Sequence, residues 1–184
     1  MIAIELIEKY YGDSPELKHV LIAHSEQVRD RALEIADRHP ELKIDREFVS
    51  EAAMLHDIGI IFCNAPKIYC FGSHQYIEHG YLGGELLRRE GLPRHARVAE
   101  RHTGSGITIE QIIREELPLP EEDFCPETTE EKLICYADKF FSKSHLGEEV
   151  AYEKIRYNIW KYGHDAILRF DEMERMFGKV KGKN

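Results

Sequence analysis

The chain has 184 residues, a length typical of one well-packed domain. Its hydrophobic fraction of 42% and charged fraction of 32% are far from those of disordered or membrane-embedded chains. The formal net charge of −9 argues against broad binding to nucleic acids or anionic membranes, because both prefer a positive surface. We therefore expect a small-molecule substrate, with no nucleic-acid partner and no membrane partner.

The sequence has no recognisable targeting or membrane-spanning segment. Residues 1–20 lack a basic stretch that leads into a long apolar block, and no later window approaches the ~20 apolar residues of a membrane span. We therefore expect a cytoplasmic localisation. The cysteines lack C-x-x-C spacing and are too few for a secreted disulfide framework, so free thiols are expected. They are Cys63, Cys70, Cys125 and Cys135.

Helix signals dominate the chain, and no segment shows a convincing alternating pattern of a half-buried strand. Ser14 followed by Pro15 predicts the start of a helix that runs to about residues 39–40. Asp45 begins another helix, and Gly59 is the expected residue just beyond its end. These signals indicate an all-α fold.

Later helices are marked by glycine, proline and capping boxes. Residues 78–90 fill a helix that stops at Gly91, and Pro93 begins a shorter one that ends near residues 103–104. Further helices are predicted after the capping boxes that begin at Thr108 and Thr128, and over residues 147–162 and 164–177.

Some segments do not fit a helix. Residues 61–77 form a long connection, and connections of that length are usually functional or disordered; the aromatic residues here favour an ordered one. Residues 103–107 and 117–127 also lack helical character, and the charged run over 115–131 indicates a solvated connection. The last six residues, 179–184, are expected to be a frayed basic end.

Polar side chains fall on the apolar faces of several predicted helices. His24 lies between Leu21 and Val28 on one apolar stripe, and His56 continues the stripe of Val49 and Ala52. His79, His102 and Asp138 also stand three or four residues from apolar residues. Together the residues expected to point toward the core are His24, His56, Asp57, His79, His102 and Asp138.

A metal centre is the simplest reason for burying so many ionisable groups. One inward histidine is usually a packing residue, but several uncompensated buried charges cost several kcal/mol each. Imidazole and carboxylate ligands together suit Fe, Mn, Zn or Co. The adjacent pair His56-Asp57 allows the carboxylate to bridge two ions, which would attract an anion and lower the pKa of a bound water.

The stretches "HSEQV", "LHDIG", "EHGYLGG", "RHTG" and "YADKF" carry a resemblance to a known family. Over about His24 to Asp138 the chain resembles the HD superfamily of metal-dependent phosphohydrolases, in particular its HDIG subgroup. That resemblance implies an all-α HD-domain helical bundle. It also implies a single domain over residues 1–184, with a metal-binding core at about 17–142 and C-terminal helices over 147–178 packed on it.

The resemblance implies a binuclear site. His24, His56, Asp57 and Asp138 would bind one ion, and His79 and His102 would bind a second ion that Asp57 bridges. Two divalent transition-metal ions are expected, with Fe or Mn preferred and Zn, Co, Ni or Mg left open.

The implied activity is hydrolysis of a phosphate ester or anhydride in a small, nucleotide-like substrate by a metal-activated hydroxide. "EHGYLGG" and "RHTG" look most like the branch that hydrolyses dinucleoside polyphosphates. The cyclic di-GMP branch, with HDIGK and Gly-Tyr-Pro, and the guanosine-tetraphosphate hydrolases, with Glu-Asp after HD, both fit less well. Two alternatives stay open: an HD-fold di-iron oxygenase, which shares the ligand order but commonly has a Lys where Ile60 and Ile61 stand, and a metal-stabilised module that binds a nucleotide without catalysis.

Other functional residues are suggested by their positions in the sequence. Asp57 is the expected catalytic ligand, and His74 is a candidate proton donor to the leaving group. The aromatic loop from Phe62 to Tyr81 could stack on a base or seal the domain. The helices after Gly147 could complete the core or form a homodimer surface. The cations expected to contact phosphate are Arg101, Lys139 and Lys67.

Overall fold

A computed structural model describes residues 2–178. The predicted all-α class is confirmed, because helices make up most of these residues and the sheet has two strands of two residues each. Between the helices lie short 3₁₀ turns over Pro40–Leu42, Ile58–Phe62, Pro66–Ile68 and Tyr76–Glu78. The α-helices of the described part are α1 (Ile2–Tyr11), α2 (Pro15–Arg38), α3 (Arg46–Leu55), α4 (His79–Arg89), α5 (Pro93–Arg101), α6 (Ile109–Glu115), α7 (Thr129–Asp138), α8 (Tyr152–Trp160) and α9 (His164–Phe177).

Several helices begin where capping predicts. The side chain of Asp45 accepts a hydrogen bond from the backbone N–H of Phe48, and Thr108 caps α6 in the same way. Thr128 forms a complete capping box with Glu131 at the start of α7. Local side-chain chemistry therefore fixes these three helix starts.

Other boundaries differ from the sequence expectation. Helix α3 ends at Leu55, and Gly59 lies buried inside the 3₁₀ turn over Ile58–Phe62 instead of capping the helix. Helix α8 begins at Tyr152, five residues after the expected start at 147. Where the first turn of that helix was expected, the chain instead forms a backbone bridge between Phe141 and Glu149.

The long connection over residues 61–77 is ordered by backbone pairing. Strands β1 (Asn64–Ala65) and β2 (Cys70–Phe71) pair antiparallel, with Asn64 opposite Phe71. The N–H of His74 donates to the carbonyl of Phe62, which closes the loop at its base. The connection therefore packs as a compact hairpin. The four cysteines are free thiols, and three of them are buried.

Buried side chains form two large apolar clusters that meet along α2. Leu21 belongs to the cluster that α1, α4 and α5 complete, and Val28 belongs to the cluster that α7, α8 and α9 complete. His24 lies between these two residues on the same buried face of α2. The boundary between the clusters is therefore where a buried polar site can form.

The C-terminal helices pack on the second of these clusters. Phe170 and Phe177 of α9 are fully buried against the ring of Tyr136 in α7. One domain over residues 1–184 stays a prediction, and the expected frayed end at 179–184 lies outside the described residues. Between residues 2 and 178, no helix is both long and apolar enough to cross a membrane.

Candidate metal centre

The six residues expected to bind metal are brought together by five helices. His24 lies in the middle of α2, His56 and Asp57 directly follow α3, and His79 begins α4. His102 follows the last residue of α5, and Asp138 ends α7. All six are buried, with at most 9% of the residue surface exposed. Most are at helix ends, where the chain turns and side chains from neighbouring helices can meet.

The carboxylate of Asp57 divides these ligands into two groups. Its Oδ2 lies 3.1 Å from His24 Nε2 and 3.0 Å from His56 Nε2. Its Oδ1 lies 3.3 Å from both His79 Nε2 and His102 Nε2. Asp138 joins the first group, since its Oδ1 lies 3.0 Å from His24 Nε2. Within each group the potential ligand atoms lie within 4.8 Å of one another.

Backbone carbonyls orient three of the four imidazoles. His56 Nδ1 donates to the carbonyl of Ala53 at 2.7 Å, His79 Nδ1 to Tyr76 at 2.6 Å, and His102 Nδ1 to Ala99 at 2.7 Å. A carbonyl oxygen only accepts, so Nδ1 carries the proton in each ring. Each Nε2 is thus the ring atom directed into the site, as in metal-binding histidines.

The donor set fits a metal better than it fits a protein interior without one. The Nε2 atoms of His79 and His102 face each other at 3.0 Å, although each ring already donates through Nδ1. Among residues 2–178, neither carboxylate oxygen of Asp57 accepts a hydrogen bond of good geometry, and His56 Nε2 also lacks one. Buried polar atoms without well-formed hydrogen bonds are costly, and divalent cations at the two groups would satisfy them.

Charges at the site act on one another strongly. Burial would lower the pKa of His56, but the carboxylates of Asp57 and Asp138 outweigh it and raise that pKa to about 9. Burial lowers the pKa of His102 to about 4. The pKa of Asp57 is held well below its usual range, because His56 and Lys143 outweigh the effect of burial. The pKa of Asp138 is also held well below its usual range, because Lys139 and hydrogen bonds from His24 and His56 outweigh burial, so both aspartates are anionic near neutral pH.

Lys143 is a site residue that the sequence analysis missed. Its Nζ lies 2.6 Å from Asp57 Oδ2, and its side chain is largely buried. Lys139, which was predicted, donates through Nζ to Asp138 Oδ2 at 2.7 Å and to the carbonyl of His102 at 2.8 Å. Two ammonium groups therefore lie beside the two aspartates. Lys143 lies in an irregular segment, where no helical period indicates the direction of a side chain.

Two adjoining cavities lead to the centre. One, of about 360 Å³, is lined by Lys139, Lys154, Asn158 and Tyr162, among others. The second, of about 350 Å³, is lined by Lys67 and Lys143. Tyr76, Asp138, Phe141 and Ser142 line both cavities. A larger cavity of about 550 Å³ between α2, α7 and α9 does not include any of the six candidate ligands.

Two of the predicted catalytic side chains are engaged elsewhere. Arg101 donates to the carbonyl of Cys125 at 2.6 Å and pairs with Glu127 at 3.0 Å, so its Nη1 holds the segment before α7. His74 pairs with Glu78 at 3.0 Å, and 45% of its side chain is exposed. The contacts of Arg101 and His74 are with other residues, so they do not support the catalytic roles predicted for these two side chains.

One aromatic residue of the long loop touches the centre directly. The ring of Tyr76 stacks on the ring of His79, with centroids 4.7 Å apart. Tyr69 and Phe71 are 49% and 76% exposed, respectively. The loop therefore both seals the site, through Tyr76, and presents other aromatic residues to solvent.

Comparisons with known proteins agree with this architecture. The family model described as HD domain matches residues 21–142, which include all six candidate ligands. A protein of Methanocaldococcus jannaschii named "Uncharacterized protein MJ0778" is 40% identical over 150 residues, which are 80% of this chain and 79% of that protein. No solved structure matches the chain.

Two longer relatives carry a functional name. Proteins named tRNA (cytidine(56)-2'-O)-methyltransferase match in Picrophilus torridus, with 32% identity over 90% of this chain, and in Thermoplasma volcanium, with 30% identity over 98%. The matched part is 43% of the first relative and 47% of the second, so the chain spans less than half of their length.

These names contradict the expectation that the chain has no nucleic-acid partner. That expectation came from the net charge of −9, which is an average over the whole chain. An average does not register local cations such as those lining the two cavities. For a relative of more than twice the matched length, the charge of this segment also says little about the charge of the whole protein.

Proposed function

The chain belongs to the HD-domain family, and on that premise we propose that it is a metal-dependent phosphohydrolase acting on a nucleotide phosphate. The observation that carries the proposal is the pair of ligand groups that share Asp57. Both carboxylate oxygens of Asp57 are used, one toward each group. This arrangement suits two ions, and imidazole with carboxylate favours Fe or Mn, with Zn or Co also suited.

Each protein group has a defined task in this proposal. When bound, two divalent cations would supply positive charge for a phosphate and lower the pKa of a water. The carbonyls of Ala53, Tyr76 and Ala99 keep three imidazoles oriented. Lys143 and Lys139 are placed to exchange their aspartate contacts for phosphate oxygens, because ammonium groups bind phosphate as compact point charges.

The nucleotide is proposed to be presented by RNA. The names of the two longer relatives refer to tRNA, and this supports RNA as the setting. The recessed site limits what can enter, since the ligands are buried and the adjoining cavities measure only about 350 and 360 Å³. A terminal or extruded nucleotide fits such a space, whereas the interior of a duplex does not. A free nucleotide carries the same phosphate group, so free nucleotides are included among the test substrates.

The test is the release of phosphate or nucleoside phosphates by protein loaded anaerobically with Fe(II) or Mn(II). The substrates are dinucleoside polyphosphates, mononucleotides and short RNAs with terminal phosphates. Turnover that needs metal and is lost in Asp57→Asn would support the proposal, with His19→Ala in α2 as a matched histidine control. Faster turnover of the RNA substrates than of the free nucleotides would support RNA as the molecule that presents the nucleotide. Two bound ions with no release of phosphate or nucleoside phosphates from any substrate would refute hydrolysis, and oxygen consumption would then indicate the oxygenase alternative.

A further inference from the structure

An exposed aromatic pair lies on α8, outside the candidate metal centre. Tyr157 is 58% exposed and Trp160 is 64% exposed, and their rings are near-parallel with centroids 6.3 Å apart. The Nζ of Lys161 lies 4.6 Å from the centroid of the Tyr157 ring. Large aromatic side chains are usually buried, so a solvent-facing pair with a cation beside it is typical of a binding surface.

The same helix also forms part of the wall of a cavity at the centre. Lys154 and Asn158 of α8, and Tyr162 just beyond its end, line the cavity that reaches Asp138. Lys161 is the C-terminal cap of α8 and keeps helical backbone angles, so at 100° per residue Lys154 and Lys161 lie between this face and the face with Tyr157 and Trp160. The helix therefore carries one continuous strip from the cavity mouth, past two lysines, to the aromatic pair.

The charge of this strip differs from that of the whole chain. Lys154 and Lys161 are exposed, and within residues 2–178 neither forms an ion pair. Arg156 on the same helix is paired with Asp171. Glu153 is the one acidic residue of α8. Two cations without an internal partner thus separate the aromatic pair from the cavity, in a chain with a net charge of −9.

We propose that Tyr157, Trp160, Lys154 and Lys161 bind single-stranded RNA next to the nucleotide whose phosphate enters the cavity. This rests on the proposed function for the identity of that nucleotide. Exposed aromatic rings bind bases by stacking, and nearby cations follow the phosphate backbone. A duplex hides the faces of its bases, so the strip selects an unpaired strand. The cations and the continuity with the cavity favour RNA over a protein partner.

The sequence provides a direct probe, because Trp160 is the sole tryptophan. Its fluorescence reports on stacking at this strip alone. Metal-free protein is titrated with a short unstructured single-stranded RNA and with a duplex of the same sequence. We expect saturable quenching by the single strand and little by the duplex. Because no metal is present, the result is independent of hydrolysis, and either proposal can fail without the other.

Variants are tested by the anisotropy of labelled RNA. Stacking of one base gives about 1–3 kcal/mol, so Trp160→Ala and Tyr157→Ala should weaken binding about 5- to 150-fold. Trp160→Phe should retain most of the affinity. Lys161→Gln should weaken binding and flatten its salt dependence by about 0.7 in the log–log slope. Controls are Leu168→Ala, an exposed apolar residue of α9, and Lys132→Gln, a lysine paired with Glu172.

Three results would overturn the proposal. The first is the absence of quenching, and the second is equal weakening by Leu168→Ala and Trp160→Ala. The third is an unchanged RNA affinity in Trp160→Ala together with an altered sedimentation coefficient, which would assign the aromatic pair to a protein interface.

Discussion

Gly59 lies so close to His79 that a Cβ on Gly59 would be 2.1 Å from the carbonyl oxygen of His79. The same Cβ would lie 2.4 Å from the backbone nitrogen of Gly83, one turn further along α4. The glycine of the "HDIG" stretch thus lets the 3₁₀ turn after Asp57 pack directly on the helix that carries His79. The distance between Asp57 and His79 depends on this contact.

Replacing Gly59 by Ala should therefore damage the second ligand group. The methyl group cannot be accommodated unless α4 moves, and overpacking of this kind costs about 1–3 kcal/mol or more. We expect a lower free energy of unfolding in urea. We also expect less than one equivalent of metal bound by the group of Asp57, His79 and His102. Gly12→Ala is the matched control, because its Cβ would meet a single atom within 4 Å, the carbonyl oxygen of Glu8 at 3.0 Å. Normal metal content in Gly59→Ala would contradict the close-packing argument.

Removal of single ligands should separate the two ions. His24→Ala leaves Asp57 with His79 and His102, whereas His79→Ala leaves the group of His24 and Asp138 intact. Each variant should lose about one metal equivalent, and Asp57→Asn should lose both, because it contributes to both groups. Elemental analysis after gel filtration measures this. If Asp57→Asn lost no more metal than His79→Ala, Asp57 would not be a bridge.

Chelation should lower the stability of the folded protein. Buried atoms of His56 and Asp57 lack hydrogen bonds of good geometry, and a bound cation would satisfy them. At an ion concentration 100-fold above Kd, binding contributes about 2.7 kcal/mol. For a chain of this size, loss of that contribution should lower Tm by ~5–10 °C. Calorimetry with and without chelator measures the shift, and Asp57→Asn should show a much smaller one.

Lys143→Gln should weaken phosphate binding more than it weakens metal binding. The Lys143 ammonium lies beside Asp57 and lines a cavity of about 350 Å³, where a phosphate could replace the carboxylate as its partner. A lost charge-assisted hydrogen bond costs about 1.5–3 kcal/mol, or a roughly 10- to 150-fold loss in kcat/KM. Lys18→Gln, at a surface ion pair with Glu8, is the control. An unchanged kcat/KM with full metal content would remove Lys143 from the substrate site.

The identity of the six candidate ligands was determined by the sequence. His24 and His56 stand at helical spacing from apolar residues, and caps such as Asp45 and Thr128 set where helices begin. Both signals are local, since they depend on residues within one or two turns of the same helix. For that reason the all-α class and the inward direction of the histidines could be predicted.

Contacts between distant segments were decided only by the tertiary structure. Lys143 reaches Asp57 from an irregular segment, Arg101 turns to Glu127, and Gly59 packs on α4 instead of capping α3. Such contacts depend on how separate elements pack, and no spacing within one element encodes them. The division of the ligands by the two oxygens of Asp57 and the strip along α8 have the same origin. The sequence determined which residue types are present, and tertiary packing determined which of these residues contact one another.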